Sequence, residues 1–111
     1  MEAQSLLQEN ETAIAVFTKG SKLQLHADNT GTTGDWVVGG DLDVDKVIIY
    51  HRRDSDTNEV YLADFDGVSA AGEGRYKIHF TNAKLMDSTD KSWSEFAATG
   101  QNPVRYIRGQ G

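Results

Sequence analysis

Asp41, Asp43 and Asp45 alternate in "DLDVDKVIIYHR", the spacing of the first ligands of a calcium-binding loop. The rest of that pattern fails. The sixth position, which needs glycine for a sharp turn, is Lys46, and the last, which needs a bidentate glutamate, is Arg52. The expected role of the acids is therefore a solvated face, with Leu42 and Val44 alternating between them into a strand. His26, His51 and His79 have no second histidine or carboxylate at a zinc-ligand spacing, so no metal is expected, and nothing calls for a cofactor. His51 stands out because "YHRR" ends the most buried-looking strand, where functional groups are often displayed. No G-x-S-x-G elbow is present, and "GVSAAGEG" lacks the lysine and the setting of a phosphate loop. That stretch reads as a loop between strands, and no catalytic set is legible.

The remaining lead is aromatic and cationic. Trp36 follows "GTTGD", at an expected loop-to-strand junction, where a side chain can line a pocket mouth. With Arg52, Arg53 and Arg105 it could stack a planar ligand, because bases stack on aromatic rings and guanidinium planes. Positive residues gather in Arg52, Arg53, Arg75 and Lys77, and again in Arg105 and Arg108. Negative ones gather in Asp41 to Asp45 and in Asp54, Asp56 and Glu59. The formal net charge is −6, which repels free nucleic acid on average and leaves only a local patch to attract it.

The elements that must position these groups are mostly strands. With 111 residues and no cysteine, the chain is expected to be one domain, residues 1–111, held by its core without disulfides. "TAIAVFT" is β-rich. "KVIIYHR" is continuously apolar between charges, as a central strand buried on both faces would be. "NEVYLADF" and "RYKIHFTNAKL" follow, the second alternating Tyr76, Ile78 and Phe80 against Lys77, His79 and Thr81. Ser92 and Glu95 have capping-box spacing, so a helix is expected near Ser92–Ala98, ended by Gly100. "AQSLLQENE" can form another short helical turn. The closing "TGQNPVRYIRG" is read as a last strand begun by Pro103, with Val104 and Tyr106 on one face and Arg105 and Ile107 on the other. The expected fold is mainly β (α+β), a small curved antiparallel sheet or β-barrel of about six strands with one or two short helices. No membrane-spanning run and no signal peptide are visible, so the expected location is cytoplasmic, with no membrane partner.

"GDWVV", "VDKVIIYHR", "NEVYLADFDGV" and "RYKIHF", in that order over Gly34 to Phe80, resemble the PUA-like superfamily, in particular its EVE-type branch. The resemblance implies a small β-barrel with a pocket that reads nucleic acid, often a modified or flipped base. It places Trp36 and Tyr50 at positions that line or support that pocket, with His51 and Arg52 as neighbours. Val44 stands where the pattern has glycine. The first functional expectation is therefore a non-catalytic module that binds nucleic acid or a nucleotide-like ligand through Trp36, Tyr50, His51, Arg52 and Arg105. The alternatives are an acidic protein-interaction or inhibitory module, including a mimic of nucleic-acid charge, and a small hydrolase or nuclease using His51.

Overall fold

A computed structural model describes residues 3–19, 23–52, 58–89, 92–97 and 103–109. Arg53, the acids Asp54 and Asp56, the turn expected over 54–57 and the helix-ending Gly100 lie outside them. Seven strands form one sheet: β1 (Thr12–Lys19), β2 (Leu23–Leu25), β3 (Gly31–Trp36), β4 (Lys46–Arg52), β5 (Asn58–Gly72), β6 (Arg75–Thr89) and β7 (Val104–Arg108). Their order across the sheet is β2-β3-β6-β5-β4-β1-β7. Two expectations are corrected here. The sheet is mixed, because β1 runs parallel to β4, with Ala15 beside Ile48 and Phe17 beside Tyr50. It is also open among the described residues, with β2 and β7 at its edges, and does not close into a barrel.

β4 occupies the segment expected of a central strand, and Val47 to Tyr50 are all buried. Its odd and even residues serve two cores. Ile48 and Tyr50 join Ala13, Ala15, Val60 and Ile107 on one face, under the single helical turn α1 (Trp93–Phe96). We call this the helix face. Ser92 caps α1 by accepting the Glu95 backbone N–H, as the capping-box spacing predicts. Trp93, Phe96 and Ala97 are buried on the sheet. The N-terminal 3-10 turn, Ala3–Leu6, adds Ala3 and Leu6 to the same core.

Val47 and Ile49 face the other way and pack with Ile14, Val16, Ile78, Phe80 and Trp36. Residues from β1 and from the distant β3 and β6 meet in this one cluster only because the sheet curls around it. The curl has a local cause: the long β5–β6 hairpin contains four register shifts, and each bulge increases twist. The segment joining β3 to β4 is irregular where a strand was expected. It still packs Leu42 and Val44, half-buried, against this inner face and leaves Asp41, Asp43 and Asp45 exposed.

Two stretches read as loops are strands. "GVSAAG" completes β5, and the β5–β6 turn is only Glu73-Gly74, both at positive φ, as a two-residue type I′ hairpin requires. "GTTGDW" is β3, paired with β6, so Trp36 ends a strand where it was expected to open one.

β7 is the strand expected at the chain's end. Phe17 N–H donates to Pro103 O and Gly109 N–H to Glu11 O, both at 2.8 Å. In an antiparallel ladder bonding residues alternate. Arg105 and Ile107 therefore turn their backbone groups to β1, while Tyr106 and Arg108 turn theirs to the free edge. Hydrogen exchange should show this directly, with slow amides at Arg105 and Ile107 and fast exchange at Tyr106. Equal protection at Tyr106 and Ile107 would contradict the edge position. No helix among the described residues is long and apolar enough to cross a membrane.

Candidate functional site

The residues singled out from the sequence do not converge on one pocket. Trp36 is 5% exposed on the inner face, and its indole N–H donates to Thr33 Oγ1 at 3.1 Å. It is a core residue, not the rim of a pocket mouth. Tyr50 is fully buried on the helix face, with ring centroids 5.3 Å from Phe17, 5.6 Å from Trp93 and 5.2 Å from Phe96. Burial holds its phenol above the ordinary value, with the Arg52 guanidinium opposing. The two aromatics thus lie on opposite sides of the sheet, and no single ligand can stack on both.

His51 Nδ1 lies 2.7 Å from the hydroxyl of Thr18, which is fully buried. That contact satisfies a polar group inside the core, which ties His51 to stability. Arg52 lies over the Phe17 ring, 5.2 Å from its centroid, and its Nε donates to Asn58 Oδ1 at 3.4 Å. It covers the end of the aromatic cluster and sits four residues along and two strands across from the level of Arg105, on the order of 16 Å away.

Arg105 differs from the other four. It is half-buried on an edge strand, and its guanidinium makes no ion pair or hydrogen bond among the described residues. Beside it, on the helix face, is a pocket of about 200 Å³ floored by Phe96, Ala97 and Ile107 and rimmed by Gln4, Tyr106 and Arg108. Gln4 Nε2 donates to the Arg108 carbonyl at 2.8 Å, and the Arg108 guanidinium donates to Asn10 Oδ1 at 3.3 Å, so the rim is braced by the N-terminal segment. Across the same edge, on the inner face, is a groove of about 410 Å³. Leu42 and Val44 supply its apolar wall, Asp41 and Asp43 its charge, and Tyr106 and Arg108 border it as well. Tyr106 stands between the two, 57% exposed. The third acid, Asp45, is engaged: its carboxylate accepts the Thr12 N–H at 2.9 Å and fixes the start of the parallel pair.

Sequence reasoning found Arg105 but missed Gln4, Asp41, Asp43, Tyr106 and Arg108 as a group. Only the topology, which leaves β7 at an edge, makes them neighbours. A second polar pair was also missed. Ser69 Oγ and His79 Nε2 are 2.7 Å apart beside a groove lined by His26 and Asp66. Asp66 does not bond His79, so the third group that orients a base in nucleophilic catalysis is lacking among the described residues. No group of three His, Asp or Glu placed to hold a metal occurs among the described residues.

An ion pair joins β4 to β5 on the helix face, two strands from β7. Lys46 Nζ donates to Asp64 Oδ1, and Asn82 Nδ2 donates to Asp64 Oδ2 at 2.8 Å. The Lys46 hydrogen bond, then that of Asn82, holds the Asp64 carboxyl below its ordinary value. A carboxyl depressed in the folded state stabilises above its unfolded value and loses that contribution as pH falls. Urea midpoints should therefore drop below about pH 4 less steeply for Asp64→Asn than for the wild type. Parallel pH profiles would show that the pair adds nothing. Compared with protein-family models, curated proteins and solved structures, the chain matches none.

Proposed function

We propose that the chain is a non-catalytic recognition module that holds an extended segment of a protein partner along β7. One observation carries this reading: the backbone N–H and C=O of Tyr106 face outward between two pockets of different character. An exposed edge of this kind is a template for strand addition, in which the main chain supplies affinity and alternate side-chain pockets supply specificity. The excess of acidic residues fits a protein ligand better than a polyanion.

Selection from a random displayed-peptide library tests it. Binders enriched on the wild type should be lost on Tyr106→Pro. Proline removes only an N–H that points to solvent, so the sheet is kept while the edge loses its donor. Failure to enrich any peptide, or enrichment indifferent to Tyr106→Pro, would sink the reading.

A nucleic-acid ligand is the second reading, favoured by the unpaired Arg105 with Arg108 on the rim of the same pocket. The PUA-like interpretation of the fold, with its modified-base ligand, belongs here. Because Trp36 and Tyr50 are core residues, such a ligand would be gripped by its phosphate. Single-stranded DNA binding that weakens with salt and with Arg105→Ala supports this reading; absence of salt-sensitive binding removes it.

A further inference from the structure

We propose that the β7 edge selects an antiparallel strand with the order apolar–basic–acidic, the basic residue lying opposite Tyr106. This rests on the protein-binding reading above and names the partner's chemistry. The outward-facing groups of Tyr106 fit a hydrogen-bonded antiparallel pair, in which two opposed residues exchange both backbone bonds. Arg108 adds its N–H, while its carbonyl is already taken by Gln4. The register places each side chain of the incoming strand. Residues directly opposite in a ladder share a face.

The residue opposite Tyr106 therefore projects into the inner-face groove. Asp41 and Asp43 are exposed there and make no ion pair among the described residues, and Leu42 and Val44 form the wall. A lysine or arginine fits both features, laying its aliphatic stem on the apolar wall and its charge beside the acids. The next residue lies opposite Arg105 and projects to the helix face. There an unpaired guanidinium meets a small pocket, and a carboxylate can accept its planar fork in a bidentate way. The preceding residue lies opposite Ile107 on that same face, over the Phe96 and Ala97 floor, where an apolar side chain fits. Acid and base are thus read on opposite sides of one strand, and reversing their order puts like charges together at both pockets.

The test uses two blocked peptides of about eight strand-forming residues with identical composition, one centred on Val-Lys-Glu and the other on Val-Glu-Lys. Titrated into the folded protein and followed by amide NMR, the first should slow exchange at Tyr106 and leave Ile107 unchanged. The second should bind about tenfold or more weakly, the size of one charge-assisted contact. Arg105→Glu should abolish the preference and take a Val-Lys-Lys peptide instead. Arg105→Gln, which keeps side-chain length, replaces it if the charge reversal prevents folding, and should bring the two peptides closer together. Equal affinity for the two peptides, binding without protection of Tyr106, or no binding of either overturns the proposal. So does an edge already occupied by a second copy, seen as Tyr106 protection that grows with protein concentration. Library binders lost on Tyr106→Pro that share a different pattern would sink the order proposed here and leave the edge reading standing. Failure to select any binder would sink both.

Discussion

Trp93→Ala should destabilise the protein by about 3–5 kcal/mol, the range for deleting a large buried aromatic. At this chain length that corresponds to a fall in melting temperature of more than about 10 °C. Trp93 is 5% exposed and sits with its ring centroid 5.8 Å from Phe17, 5.6 Å from Tyr50 and 6.3 Å from Phe96. Its neighbours belong to β1, β4 and α1, so the cavity cannot close by moving one element. A helix of one turn has no stability of its own and is held by this contact. Trp93→Phe should recover part of the loss. A melting temperature unchanged in Trp93→Ala would mean that α1 is not docked on the sheet.

Gly31→Ala should cost about 1–3 kcal/mol or more, a large effect for one methyl group. Gly31 pairs with Leu25 on one side and Phe80 on the other. A β-carbon there would run into the Gln24 carbonyl oxygen and come within 2.7 Å of Phe80 Cζ. The obstacle is partly backbone, so a rotamer change cannot relieve it. Gly67→Ala is the informative control: nothing lies near its added carbon, but its φ of +113° belongs to glycine. Gly31→Ala should therefore disturb the chemical shifts of Phe80 and Gln24, while Gly67→Ala disturbs only the β5 bulge. A Gly31→Ala protein as stable as the wild type would mean that β2, β3 and β6 are less closely packed than described.

Much of the strand content was legible because alternation and apolar runs report burial directly. "KVIIYHR" and "RYKIHF" became strands with the faces their patterns imply. Strand direction was not legible, since an apolar run reads the same beside a parallel or an antiparallel neighbour, and β1 turned out parallel to β4. "GTTGD" misled because glycine and aspartate usually mark turns. Here Gly31 is small because a carbonyl and a ring crowd it inside a strand. That error moved Trp36 from the core to an imagined pocket mouth. For the site, the rigidity of Arg105 could be argued from its own segment. The pairing of its pocket with Asp41 and Asp43 could not, because those acids are about sixty residues away and meet it only through strand order.

The place of β1 between β4 and β7 also bears on synthesis. β1 leaves the ribosome with an apolar "AIAV" run whose two partners do not yet exist. β4 follows within about thirty residues, but Arg105, opposite Ala15, comes about ninety residues later. At ordinary translation speeds this second wait is roughly 5–20 seconds. During that time β1 presents a bare edge, and the helix-face core lacks both α1 and Ile107. The nascent chain is therefore most vulnerable to misassociation through the very strand that the finished protein hides beneath β7. A ribosome-bound chain lacking residues after 100 should bind a chaperone or a strand-seeking dye that the released protein refuses.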